Sequence, residues 1–379
     1  MKKYFILIKL LVVAFSLTVK GQYNIDTALT NIAKNNKIIF ANTQFKETQK
    51  LQYKTGLAPY NPTVNYDYMI GSPNTAGNQN DFTVTQSFDF PTAYIKKKQL
   101  SEQQIVQTEF QLIVTRQDIL LEAKKVCIEI VYRNKLQSQL TQRKQNAEKL
   151  FKGFQTKLEN GEGNILDANK ANLQLIEIKK YFQENLSFIN QLNQKLTELN
   201  GGNIILFADT IYPLLPSIPV FEQLEKDYEE NDPLRKYLEQ EKLIVQKQVE
   251  VSKAMSLPKM EAGYHYQGIL GQTFRGLHAG ITIPLWENKN MVKLQKAKYL
   301  YTDLELQSHI NEHFFEIKKL YEKYTNLKII LEQYQAVFST LNNTALLNKS
   351  LLLGQISSIE YFIELSYYHN SYDNYLETE

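Results

Sequence analysis

The chain of 379 residues carries 43 Lys and Arg against 40 Asp and Glu, and one cysteine. That balance excludes a cationic surface made for nucleic acid, and a single thiol excludes an intramolecular disulfide framework. With only 15 Gly and 10 Pro over this length the chain reads as extended helix, while 24 Tyr mark half-wet surfaces.

Lys2 and Lys3 precede an apolar run from Tyr4 to Val19, and the small Val19 and Gly21 suit cleavage before Gln22. Residues 1–21 therefore read as a secretory signal peptide; Lys9 interrupts the run and argues against a membrane anchor. Their removal takes away four lysines and no acid, turning a formal charge of +3 into −1. No other segment reaches transmembrane-helix length, so a membrane-spanning form of this chain has to cross with strands.

A first structural repeat is expected over residues 22–202. It opens with one helix from Tyr23 to Gly56, with Asp26 near its start. Strands follow at 63–71 and 81–90: Val64, Tyr66, Tyr68 and Ile70 alternate with Asn65, Asp67 and Met69, and the polar loop GSPNTAGNQN leads into DFTVTQSFDF. A helical hairpin over 92–200 comes next. Its first arm has no proline from Thr92 to Leu158, and at about 1.5 Å per residue it extends on the order of 100 Å. Ile119, Ala123, Val126 and Ile130 step by four and three, the spacing of a coiled coil. Cys127 falls on the same apolar side, as a buried small hydrophobe. The hairpin turns at ENGEGN and ends at Gly201 and Gly202.

Residues 203–220 hold three prolines and read as a linker to a second repeat over 221–379. There a helix runs from about Pro233 to Met255, strands occupy 259–269 and 274–285, and a helical hairpin covers 288–379 with its break at Gly354. In the strands, Met260, Ala262, Tyr264 and Tyr266 alternate with Glu261, Gly263, His265 and Gln267. Leu277, Ala279, Ile281 and Ile283 likewise alternate with His278, Gly280 and Thr282. The long helix is expected from Asn288 to Asn348, with Ile310, Phe314, Ile317, Tyr321 and Tyr324 in its apolar stripe. Pro62 and Pro258 lie 196 residues apart, Pro91 and Pro284 193, and Gly161 and Gly354 193. Such offsets describe a duplicated unit of helix, β-hairpin and long helical hairpin. The fold class is mainly α with a small β part.

Four strands of about 10 residues can span a bilayer, but roughly eight are needed to close a barrel, so the strand count demands oligomerisation. The alternation places Val64, Tyr66, Tyr68, Leu277, Ile281 and Ile283 against lipid. It places Asn65, Asp67, Glu261, His265, Gln267, His278 and Thr282 in a lumen.

Catalytic motifs are scarce. His309 to His313 match H-x-x-E-H, an inverted zincin pattern with Glu312 as base. No catalytic domain surrounds it, so it reads as a solvated stretch of coiled coil, and no metal, cofactor or enzymatic activity is expected. Gly161-Glu162-Gly163 is too short for a phosphate loop.

Three features, each present twice, carry a resemblance: a strand opening at Pro59 and Pro62 and again at Leu257-Pro258; a strand closing on Phe90-Pro91 and Ile283-Pro284-Leu285; and a helix-hairpin turn of Gly161 with Leu166 and Asp167, matched by Gly354 with Ile359 and Glu360. In this order the chain resembles the outer-membrane efflux protein family, the TolC-like channels, although it is shorter and lacks the lipidation cysteine of some members. The resemblance implies a homotrimer with a shared 12-stranded β-barrel on a periplasmic α-helical barrel. It implies a place in the outer membrane, extending into the periplasm. It also implies a duct for drugs, metal ions or proteins, supplied by an inner-membrane transporter through a periplasmic adaptor. Gly161, Glu162, Leu166, Asp167, Gly354, Ile359 and Glu360 would then form the pore mouth and dock the adaptor. Asp167 and Glu360 read equally well as first-turn acids facing a helix dipole. A non-transporting periplasmic coiled-coil scaffold is the alternative, distinguished by strands that would bury one face on a helix.

Overall fold

The computed structural model describes residues 24–341 and 343–379; the signal peptide expected at 1–21 lies outside them. No described helix is long and apolar enough to cross a membrane. The chain divides into two compact units.

The first unit comprises residues up to Lys37, Asp118–Ser217 and Lys323–Glu379. It holds α1 (Ile25–Asn35), most of the far half of α3 (Pro91–Glu159), α4 (Ile165–Leu199), the end of α7 (Met291–Phe338), α8 (Asn343–Leu352) and α9 (Ser358–Thr378). Ala147, Leu175 and Ile178 form a buried cluster where α3 and α4 meet, with Phe151 packed against it. Around the stretch of α3 that the sequence marks as a coiled coil, the buried positions are Ile119, Ala123, Cys127, Ile130 and Val131. Cys127, rather than the expected Val126, therefore completes the apolar step, and burial pushes its thiol up to about 12.

The single helix expected from Tyr23 to Gly56 is two, because Asn36 leaves the helical region at φ −65° and ψ 123°. Its backbone N–H still closes the turn on the Ile32 carbonyl, while its side-chain amide donates to the Leu199 carbonyl at the end of α4, at 2.7 Å. The long helix expected through Asn348 stops at Phe338. There the hydroxyls of Ser339 and Thr340 donate to the carbonyls of Ala336 and Val337, competing with helix propagation. Phe338 is held by the rings of Tyr368, Tyr372 and Tyr375, at 5.1 to 5.9 Å between centroids.

The second unit, Ile38–Gln117 and Ile218–Glu322, contains all four strands. With them are α2 (Lys37–Tyr53), the start of α3, α5 (Phe221–Asn231), α6 (Pro233–Ala254) and the first part of α7. Strands β1 (Thr63–Met69), β2 (Gln79–Phe88), β3 (Lys259–Ile269) and β4 (Gln272–Thr282) make one antiparallel sheet in the order β1-β2-β3-β4. The two hairpins are thus joined edge to edge, through ten residue pairs from Gln79–Ile269 to Phe88–Met260. Helix α5 was not separately visible in the sequence. Its Phe221 docks on Phe314 and Tyr321 of the α7 stripe, at 5.8 and 5.6 Å between centroids.

Candidate pore and docking surfaces

Because side chains alternate across a strand, residues opposite one another in register share a face. One face collects Asn65, Thr83 and His265; Asp67, Asp81 and Gln267; then Gly263 with His278, Glu261 with Gly280, and Lys259 with Thr282. Every polar residue the sequence assigned to a lumen falls on this face. Its side chains are linked: His265 Nε2 lies 3.5 Å from Asp81, Gln79 donates to Asp81 at 2.8 Å, and Glu261 stands 3.4 Å from both His278 and Ser87. Asp81 was missed as a partner because it lies on a different strand from His265. Gly263 makes room for the ring of His278, since a Cβ there would collide with that ring and with the Val84 carbonyl at 2.6 Å.

The opposite face collects Val64, Val84, Tyr264 and Leu277 in one row, and Tyr66, Phe82, Tyr266 and Arg275 in the next row towards the hairpin turns. Val64, Tyr66, Tyr68, Leu277 and Ile281 are all exposed, Leu277 to 88%. Ile283 is exposed as well but lies beyond the end of β4, so it has no ladder partner. Gln86 adds a polar residue to this face in the row of Ala262 and Ala279, and its amide donates to the backbone carbonyls of Tyr60 and Ser87, at 2.6 and 3.0 Å. Arg275 lies over the Tyr266 ring, 5.8 Å from its centroid.

Both helix-hairpin turns lie in the first unit and share one backbone solution. Gly161, at φ +77°, donates to Leu158 while Glu162 donates to Lys157; Gly354, at φ +69°, donates to Leu351 while Gln355 donates to Ser350. This is the Schellman closure, which needs a left-handed residue that glycine supplies without strain. The next helices start differently. Asn164 caps α4 by accepting from Leu166 N–H at 2.9 Å. Ser357 caps α9 in a reciprocal box in which the Glu360 carboxylate accepts the Ser357 N–H at 2.8 Å. That backbone bond, with the Ser357 side chain, holds the Glu360 carboxyl below the usual carboxylate range. Glu360 therefore serves its own helix start, as the first-turn reading required. Asp167 stands in the first turn of α4, and Glu162 is exposed in the turn itself. Leu166 and Ile359 are exposed to 60% and 54%, two matched apolar residues without burial.

The H-x-x-E-H stretch does not assemble as a zincin. Glu312 accepts from Ser308 on the exposed side of α7, while His309 turns to Asp232, with Nε2 2.9 Å from Oδ2. The sequence offered no sign of that partner, because Asp232 lies 77 positions upstream.

No family model matches the sequence, and no curated protein matches it. Solved structures match over most of the chain. A membrane protein from Pseudomonas aeruginosa is 13% identical, with a TM-score of 0.78 over 93% of this chain and 86% of its own. CusC, whose structures trace folding and transmembrane channel formation, is 14% identical, with a TM-score of 0.74 over 94% and 89%. The CmeC outer membrane channel of Campylobacter jejuni is also 14% identical, with a TM-score of 0.72 over 93% and 82%. The chain has the fold of the TolC-like outer-membrane efflux channels.

Proposed function

We propose that this chain is the outer-membrane duct of a tripartite efflux pump, conducting substrates such as drugs or metal cations passively out of the cell. They would arrive from an inner-membrane transporter through a periplasmic adaptor. Three copies each give β1 to β4 to a shared 12-stranded barrel, and the helical hairpins of the two repeats, 22–202 and 221–379 around the linker 203–220, give a periplasmic helical barrel.

The observation that carries this reading is a sheet whose outer strands, β1 and β4, pair on one side only, and whose exposed face is apolar. Unpaired strand edges are costly in lipid and prone to aggregate in water, and closure into a ring with two further copies removes all of them. The aromatic row of Tyr66, Phe82 and Tyr266, with Arg275 beside it, matches the girdle that such barrels carry at a membrane interface. A scaffold that transports nothing would bury one sheet face on a helix, whereas β1 is exposed along its whole length.

The test is the mass of the detergent-extracted protein together with disulfide crosslinking between edges. A trimer is expected, with Val64→Cys in β1 joining one of Leu277→Cys, Ala279→Cys or Ile281→Cys in β4 of another copy. Cys127 stays silent in this assay because it is buried and its thiol is held protonated. A monodisperse monomer that needs no detergent, with no crosslinks between copies, overturns the reading.

A further inference from the structure

We propose that Asp232, His309 and His313 form a binding site for a divalent transition metal of the Zn²⁺ class, which clasps the α5–α6 corner onto α7. Each residue offers one ligand atom, and the three atoms lie within 4.8 Å of one another. All three belong to the second unit.

The geometry follows from helix spacing. Residues four apart on α7 stack on one face, which brings the His309 and His313 rings to 4.4 Å between centroids. Asp232 sits in the break between α5 and α6, at φ −62° and ψ 114°, where Oδ1 accepts the Leu234 N–H at 2.9 Å as the helix cap. The cap uses one carboxylate oxygen and aims the other, Oδ2, at His309 Nε2. Asp232 is 6% exposed, so this is a built corner and not a surface pairing.

A plain His309–Asp232 hydrogen bond would account for two members but not for the third. His313 Nδ1 is buried without a hydrogen-bond partner, and its nearest acid, Glu316 Oε2, stands 3.8 Å away. A buried polar nitrogen left so is costly, and coordination of a metal by the imidazole would remove that cost. Tyr228 packs on the His313 ring at 5.1 Å and keeps it in place. Tetrahedral zinc, with bonds of about 2.0 to 2.2 Å, wants its ligand atoms about 3.3 Å apart. The 2.9 Å separation of His309 and Asp232 thus opens by a few tenths of an ångström as coordination replaces the hydrogen bond. Arg235, which lines the same recess, is already matched by Glu229 at 3.2 Å and Glu239 at 3.0 Å, so its charge is neutralised. Two imidazoles and one carboxylate suit Zn²⁺ better than a hard, all-oxygen cation such as Mg²⁺.

The test uses the full mature chain in detergent, stripped with a chelator and titrated with Co²⁺ as a spectroscopic probe. The expected result is a d–d absorption spectrum that Zn²⁺ abolishes by displacement, with Zn²⁺ also raising the unfolding temperature. Asp232→Asn keeps the helix cap, since Asn and Asp cap equally well, and removes the anionic ligand. It and His313→Gln are each expected to weaken Co²⁺ binding by at least about 100-fold. His369→Gln, in the other unit, is expected to leave the spectrum unchanged. A wild-type protein without the spectrum, or one whose spectrum survives both substitutions, overturns the proposal. These outcomes are independent of whether the protein conducts.

Discussion

Arg143 grips Asp373 with both ends of its guanidinium, Nη1 to Oδ2 at 2.9 Å and Nη2 to Oδ1 at 2.7 Å. Nη2 also donates to the His369 carbonyl at 3.3 Å, so one side chain of α3 makes three hydrogen bonds to α9 within the first unit. Arg143 is buried, and Asp373→Ala would leave its charge without a partner. The expected cost is about 2 kcal/mol, below that of a fully buried pair because Asp373 keeps some solvent. Urea unfolding of the solubilised protein measures it; an unchanged midpoint would show that water replaces the carboxylate.

His369 supplies a pH dependence. Burial, with the Arg143 charge beside it, pushes its imidazole down to about 3 from the ordinary 6.5. Between those values the unfolded chain takes up a proton that the folded chain refuses. The stability from the neutral ring is whole above pH 6.5 and is lost progressively as pH falls towards 3, by at most about 1.4 kcal/mol per pH unit. His369→Gln is expected to flatten the loss between pH 6.5 and about 5, a window lying above the usual carboxylate range. Parallel wild-type and variant curves would contradict this.

Leu277 and His278 separate the two faces of the sheet. Leu277 is the sixth of eleven residues in β4, whereas Ile281 is next to last, so in the proposed barrel an arginine at Leu277 would meet the lipid midplane. Leu277→Arg should cost about 2 to 4 kcal/mol in the assembled barrel, and Ile281→Arg nearer to about 1. His278→Arg should leave assembly intact and alter ion selectivity in a planar bilayer. Equal tolerance of arginine at Leu277 and His278 in an assembly assay would remove the distinction between the faces.

At the helix turns, cap and surface residues should behave differently. Ser357→Ala opens the capping box and is expected to cost about 1 kcal/mol of stability. Leu166→Glu and Ile359→Glu touch exposed side chains and should leave the unfolding midpoint within about 0.5 kcal/mol of wild type, while reducing crosslinking to a co-expressed adaptor. Crosslinks that form only from the strand loop at Ser72 to Asn80 would place the adaptor on the strand loop instead.

The sequence by itself determined the strands and the composition of their faces, because a side-chain period of two cannot be disguised where one face is apolar and the other polar. Val64, Tyr66 and Tyr68 are separated from Asn65 and Asp67 by alternation alone, and the sheet preserves that separation. The hairpin turns were equally legible, since only a left-handed residue closes a Schellman cap and glycine marks the place. Tertiary structure decided what depends on partners far along the chain. Asn36 breaks a helix that local propensity would continue, because the Leu199 carbonyl, 163 positions away, takes its side-chain amide. Cys127 displaces Val126 from the seam because packing selects the phase of the stripe, which composition leaves free. The His309 and His313 pair was visible as a motif, but the partner of His309, Asp232, is delivered to the same corner by a break between two helices. The register between the hairpins, the break at Asn36 and the gathering of Asp232 with His309 and His313 are set by long-range contacts, and local pattern carries no trace of them.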